Sequence, residues 1–348
     1  MKTKIILAIV LIGLPLVAYN LYIKRLYADL TQTLYVKFNP TESIKTFKRL
    51  SQIQNPSSDI KKSIADCYYA LAKTSSDSIY AIMKNRYYSI PKDIENLAIS
   101  NFDEAIKLDS SNNEIFYDFA RFCDKTNKNS KAVALYSKLI ALNPGRENNK
   151  EYFLALIDAL VGNGNFEQAI DSCSKELTIA PIESEQIKGD GYGKNIRSQL
   201  LIRLARVYRK QKYQELALNK YFEAIQSEHL WGDYHQTYSN QWLIVDALEE
   251  IGTLYNDIGD IPNSLRYLER SVGIVNGRVV PWSLGTFSSN VVRRNWILGS
   301  IYLKVGRKQD AIGAFERAVE RWEHSGQSEI EGEWAKSSLN NLRYFRNE

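Results

Sequence analysis

Glu228, His229, Asp233 and His235 crowd one short stretch, and imidazoles beside carboxylates are the ligand types of a zinc site. A metal needs a fixed geometry, however, and two histidines six residues apart in a loop-like segment specify none. The run IKGDGYGKN, ending at Asn195, has the look of a glycine-rich phosphate loop. No strand signal precedes it, and Gly193-Lys194 is followed by Asn195 where a phosphate loop has Ser or Thr, so a nucleotide is not expected. Cys67, Cys123 and Cys173 are far apart, odd in number and without a CxxC or Cys/His spacing, and read as buried free thiols packing as small hydrophobes. His324 has no acidic or cysteine pairing that would make it catalytic, and there is no nucleophile elbow, HExxH or paired-carboxylate motif. The expectation is a protein that is not an enzyme, with no cofactor, metal or small-molecule substrate.

Chemistry that is absent from short motifs can still be present as a surface. All six tryptophans lie after residue 230: Trp231, Trp242, Trp282, Trp296, Trp322 and Trp334. Core packing accounts for most of them, but Trp231 and Trp282 fall in loop-like stretches, where a large aromatic is a candidate partner contact. The composition is that of a folded body, 44% hydrophobic and 24% charged, and disorder is not indicated. A net charge of +5 on 348 residues leaves no electrostatic footprint of a nucleic-acid binder. With 8 prolines and 18 glycines, long stretches can run helical without interruption.

Residues Ile5 to Ile23 read IILAIVLIGLPLVAYNLYI, between Lys2 and Lys4 on one side and Lys24 and Arg25 on the other. Nineteen residues at 1.5 Å each give about 28 Å, just enough for a hydrocarbon core of roughly 30 Å. A cleaved signal peptide would need small residues in an A-x-A pattern, and Leu16 stands two places before Ala18. A soluble core helix is disfavoured because nothing polar interrupts the run before Asn20. The expectation is an uncleaved, single-pass transmembrane anchor over residues 5–23 behind a basic tail at 1–4. The basic start favours a cytoplasmic N-terminus, which places the rest of the chain outside the cytoplasm.

Self-comparison organises that remainder. NLAISNFDEAIKLDSSN aligns with SKAVALYSKLIALNPGR so that Ala98 and Ala132, Phe102 and Tyr136, Ala105 and Leu139, and Ser110 and Pro144 each lie 34 residues apart. The pattern returns at Ala169 and Cys173, at Ala217, Tyr221 and Ala224, at Ser264, Leu268 and Ser271, and at Ala311, Phe315 and Ala318. Upstream of each, a partner segment places a small residue and then a bulkier one: Ala120 and Cys123, Ala205 and Tyr208, Gly252 and Tyr255, Gly299 and Tyr302. Small residues let two antiparallel helices approach closely, and aromatic ones fill the gap between hairpins. A Gly or Asn near the turn closes the first helix in a left-handed conformation. No such hairpin buries its apolar face alone, so stacking creates the core.

These small, aromatic, small and proline positions resemble the tetratricopeptide-repeat family. The resemblance covers about two thirds of the chain and implies an all-α solenoid of antiparallel helix pairs, a right-handed superhelix that binds proteins. The 34-residue period and the proline position argue against the similar repeats that read RNA. The expected organisation is a juxtamembrane helical segment at 24–56, a degenerate repeat at 57–112 and five repeats at 113–325. Insertions are expected at 182–194, 228–241 and 277–289, with an amphipathic capping helix at 326–348. The inner face of such an array is lined by the first helix of each pair, which gives Tyr117, Arg121 and Lys125, then Arg206, Arg209 and Lys210, then Arg293, Trp296 and Lys304. The fourth repeat is acidic there, with Asp246, Glu249 and Asp257. A mainly basic groove with aromatics suits an acidic extended peptide or helix. The Lys and Asn pair by which related co-chaperones clamp a carboxylate is replaced by Tyr117 and Arg121, so chaperone C-termini are not expected. The function implied is a membrane-tethered scaffold or assembly factor, with a structural subunit of a larger membrane or envelope complex as the alternative and an enzyme sited in the insertions as the remote one.

Overall fold

The computed structural model of the chain describes residues 14–84, 90–143, 146–179, 196–229, 238–276, 289–324 and 332–347. Among them every regular element is helical, and they fall into two compact units, residues 1–144 and 145–348.

The first unit holds α1 (Leu14–Thr31), a single π-helical turn (Gln32–Val36), α2 (Pro40–Ile53), α3 (Ser58–Lys84), α4 (Lys92–Leu108), α5 (Asn113–Lys125) and α6 (Asn129–Leu142). Residues 5–13 of the expected anchor lie outside the described residues, and among those described no helix is long and apolar enough to cross a membrane. The expected boundary between anchor and juxtamembrane segment at residue 23 falls inside α1. Helix α1 runs through Lys24 and Arg25 because Leu26, Leu30 and Leu34, four residues apart, are all buried and continue one apolar stripe. Asn39 caps α2 by accepting from the Glu42 amide at 3.2 Å, and Pro40 fits the first turn, where no amide is needed. Helices α3 and α4 pack together within the segment where a degenerate repeat is expected. The 27 residues of α3 outrun an ordinary repeat helix. Phe102 of α4 stacks on Phe119 of α5 at 4.7 Å between centroids, tying the degenerate pair to the first regular one, α5 and α6.

The second unit holds four more regular pairs and a last helix: α7 (Arg146–Gly162) with α8 (Phe166–Ile179), α9 (Ile196–Lys210) with α10 (Gln214–His229), α11 (Tyr238–Asp257) with α12 (Ile261–Asn276), α13 (Ser289–Lys304) with α14 (Lys308–His324), and α15 (Gly332–Asn347). The insertion expected at 228–241 is shorter than the sequence implies, since Glu228 and His229 end α10 and Tyr238 to Gln241 open α11. Segments 182–194 and 277–288 lie outside the described residues. Helix α15 packs on α14 and α13, placing Ala335 and Leu342 in the core at the end of the unit.

One turn closes all five regular pairs. Asn127, Gly164, Lys212, Gly259 and Gly306 have φ of +58°, +78°, +65°, +85° and +76°. The residue after each donates its amide back five positions: Lys128 to Cys123, Asn165 to Leu160, Tyr213 to Tyr208, Asp260 to Tyr255 and Arg307 to Tyr302, at 2.7–2.9 Å. This is the Schellman closure, which satisfies carbonyls that the helix end leaves open. Four of the five residues are the Asn or Gly that tolerate a left-handed backbone; Lys212 is held there by the same bonds.

The close approach of paired helices has a measurable cause. A Cβ placed on Gly252 would lie 2.6 Å from Leu268 Cγ and 3.1 Å from its backbone nitrogen, and one on Gly299 would lie 2.8 Å from the Phe315 ring. Only glycine fits at that separation. Ala98, Ala132, Ala169, Ala217, Ser264 and Ala311, which open the second helices, are all fully buried.

Candidate partner-binding face

The first helix of each pair carries the charges singled out in the sequence, and the two units use them differently. In the first unit, α3, α4 and α5 enclose a cleft of about 260 Å³ lined by Lys73, Asp77, Tyr80, Asp118, Arg121 and Lys125. The Lys125 ammonium sits over the Tyr80 ring at 4.4 Å, and the Arg121 guanidinium over Tyr117 at 5.6 Å. Ion contacts here are long: Lys73 to Asp118 at 3.8 Å and Arg121 to Asp118 at 3.9 Å. Asp118 is instead engaged by the Tyr69 hydroxyl, which donates to its Oδ2 at 2.6 Å and has Glu114 Oε1 at 3.1 Å. Burial, then these two carboxylates, push the Tyr69 phenol far above its ordinary range, so it stays a donor. Burial likewise pushes the Tyr80 phenol up to about 12. Tyr117 packs edge-on against Tyr136 at 6.4 Å. Of the three residues expected on this helix, Arg121 and Lys125 reach the cleft and Tyr117 supports them.

In the second unit the cations are consumed by the neighbouring repeat. Arg203 forks onto Asp158, with Nε–Oδ1 at 3.0 Å and Nη2–Oδ2 at 2.8 Å. Arg206 reaches Glu250 at 3.2 Å; Arg209 reaches Glu250 at 2.7 Å, Asp257 at 2.6 Å and the Thr253 hydroxyl at 3.0 Å. Arg293 meets Glu249 at 2.9 Å, and Arg294 binds both Glu249, at 2.7 Å, and Asp246. Arg294 is 1% exposed and Glu249 is 5% exposed, a charge pair buried in the seam between α11 and α13. Burial raises the carboxyls of both Glu249 and Asp246 above the usual carboxylate range, with Arg294 acting against that rise. The acidic fourth repeat is therefore the counter-charge of its two basic neighbours, and Arg206, Arg209, Arg293 and Arg294 are each paired with it. Lys304 lies 3.1 Å from Asn256, and Lys210 remains exposed at the end of α9. Trp296 is engaged within the unit: its Nε1 donates to Ser337 of α15 at 3.1 Å, and it packs against the core.

Trp231 and Trp282 lie outside the described residues, as do Asp233 and His235. Nδ1 of His324 lies 2.7 Å from the Glu320 carbonyl oxygen, and no cluster of three metal-ligating side chains occurs among the described residues. Cys67, Cys123 and Cys173 are buried free thiols, with Cys123 and Cys173 pushed up to about 12 by burial. What the sequence did not single out is Tyr69, Asp118 and Arg294. A signal for Arg294 existed, in acidic residues 45 and 48 positions earlier, one enlarged repeat away.

Antiparallel helix pairs closed by a left-handed residue and seated on alanine or glycine contacts define a helical-hairpin repeat protein. The family model for the tetratricopeptide repeat matches residues 292–321, within the pair α13–α14. Among solved structures, the chain is similar to a Rap protein complexed with competence and sporulation factor, at 13% identity and a TM-score of 0.49 over 92% of this chain and 85% of that one. It is also similar to BtubC from P. vanneervenii, at 14% and 0.46 over 74% and 90%. A third is PilW, described as a widely conserved type IV pilus biogenesis factor, at 16% and 0.44 over 82% and 100%. No curated protein matches the chain.

Proposed function

We propose that this chain is a non-enzymatic scaffold that holds a partner protein in the cleft of its first unit while its N-terminal hydrophobic segment keeps it at a membrane. The observation supporting the reading is that Arg121 and Lys125 are held over aromatic rings instead of being locked to carboxylates. A cation held this way keeps most of its charge for an incoming anion, and the tyrosine faces offer apolar area beside it. An acidic side chain flanked by an apolar one, on an extended segment or a helix, is the ligand that fits. Lys210, Trp231 and Trp282 are proposed as outlying contacts, and removing any one should weaken capture less than changing the cleft.

The test is capture of partner proteins by the immobilised full chain, comparing the unaltered protein with Arg121→Glu/Lys125→Glu. Loss of a partner that the unaltered chain retains is expected, and equal recovery by both would discard the cleft. Residues 5–23 are proposed as the membrane attachment, with the repeats outside the cytoplasm. Alkaline phosphatase fused after Glu348 should be active in a bacterial host; an inactive fusion reverses that orientation.

A further inference from the structure

Charge is spread unevenly along this chain. Residues 1–62 contain ten Lys or Arg against three Asp or Glu, a surplus larger than the +5 of the whole protein. Helix α2 folds back against α1 after the turn at Gln32–Asn39, and the Gln54 side-chain amide beyond its end donates to the Tyr27 hydroxyl. The inner side of α2 buries Ile44, Phe47 and Leu50; its outer side carries Lys45, Lys48 and Arg49, one turn apart and all exposed. Lys24, Arg25 and Lys37 are exposed on α1 and at the turn. Apart from Lys45, which has Glu42 at 3.7 Å, these cations form no ion pair among the described residues.

The same hairpin exposes apolar side chains at both ends. Tyr19, Leu21 and Tyr22 stand out of α1 just before Lys24. At the tip, Val36 is 75% and Phe38 74% exposed, and Phe38 takes a φ of +43°, a left-handed backbone that a bulky residue adopts only under constraint. Apolar and aromatic groups at the two ends of a basic hairpin match the layering of a bilayer surface, where rings sit at headgroup depth and Lys and Arg meet anionic headgroups.

We infer that the α1–α2 hairpin lies flat on an anionic bilayer, with Val36 and Phe38 dipping into the headgroup layer and the α2 cations contacting lipid phosphates. The inference rests on the membrane attachment proposed above but replaces its upright form. Because α1 is one helix from Leu14, residues 14–23 would lie in the headgroup layer instead of crossing it, and the side on which the repeats sit is left to the fusion test alone. A helix standing upright through residue 23 would carry Phe38 on the order of 20 Å from the surface, at 1.5 Å per residue; a flat one brings it to the lipid.

The experiment uses the full chain with Phe38→Cys, labelled with an environment-sensitive dye; the three native thiols are buried. The protein is reconstituted into phosphatidylcholine vesicles with and without phosphatidylglycerol and with a headgroup-depth lipid quencher. Leu97→Cys, an exposed site on α4, is the control. Quenching at position 38 is expected to be several-fold greater than at 97 in anionic vesicles. It should fall to the control value in high salt or on adding Lys37→Glu/Lys48→Glu/Arg49→Glu. Dye at 38 that stays unquenched in a chain resisting carbonate extraction would overturn the flat hairpin and leave an upright anchor standing. Release of the chain by carbonate together with no quenching would overturn both. A dye shift produced by single-stranded RNA, without lipid quenching, would assign the face to a nucleic acid.

Discussion

The first helices of the two units carry similar residues to different ends. Around α5, Arg121 and Lys125 lie on aromatic rings, and the carboxylate contact of Arg121, to Asp118, is 3.9 Å long. Along α9, α11 and α13, arginines meet carboxylates at 2.6–3.2 Å, and each bond joins neighbouring repeats. A cation on a ring still presents its field to solvent, whereas one forked onto a carboxylate has spent it. The charge on a repeat face is thus set by the neighbour opposite, not by a count along one helix. One region is arranged to receive something; the other is arranged to hold itself together.

The largest effect should come from breaking the seam. Glu249→Ala leaves the Arg294 guanidinium buried with part of its counter-charge removed, at a cost of about 3–5 kcal/mol, read as a large fall in denaturation midpoint. Replacing the pair together, as Glu249→Leu/Arg294→Met, should recover most of it, because the penalty lies in the stranded charge. A comparable loss in the double variant would show that the bonds themselves were the source of stability. Next, Gly252→Ala raises helix propensity yet drives a methyl into Leu268, and a net loss of about 1–3 kcal/mol is expected by thermal or chemical denaturation. An unchanged midpoint would mean that α11 and α12 can separate freely.

Smaller effects sharpen the contrast. Lys212→Gly relieves a left-handed backbone in the only one of the five turns that lacks Gly or Asn, and should stabilise by about 0.5–1 kcal/mol. The thiols act as local reporters. With Cys123 in the first unit and Cys173 in the second both pushed up to about 12, neither should react with a thiol reagent at pH 8 until its surroundings open. In Glu249→Ala, Cys173 should react earlier along a denaturant series and Cys123 should not. Equal acceleration would mean that the two units open as one.

The hairpins were legible in the sequence because their requirements are local: Gly252 facing Leu268 and Gly299 facing Phe315 recur at fixed offsets, and three of the five turns announce themselves with glycine. Lys212 was not legible, since its φ is imposed by bonds that any residue could close. The charges on the first helices were legible, but not which of them are engaged within the chain. Arg206, Arg209 and Arg293 were counted as ligands for a partner. Whether a long side chain reaches across to Glu250 or Glu249 depends on the spacing and rotation of two helices more than forty residues apart, which no single helix encodes. Trp296 is the same case, since its donor finds Ser337 on a helix beyond the last repeat. The hydrophobic run ends at Ile23 because composition changes there, but α1 continues past it on the buried stripe of Leu26, Leu30 and Leu34.

The most direct measurement is a paired one on two charge-neutralised proteins, Arg121→Gln/Lys125→Gln and Arg206→Gln/Arg209→Gln, each assayed for thermal midpoint and for partner capture below that midpoint. The first should keep its midpoint to within about 0.5 kcal/mol and lose the partner; the second should lose about 1–2 kcal/mol and keep the partner. The reverse assignment, with the cleft variant unstable but still binding and the ladder variant stable but unable to bind, would contradict the division of labour between the two units.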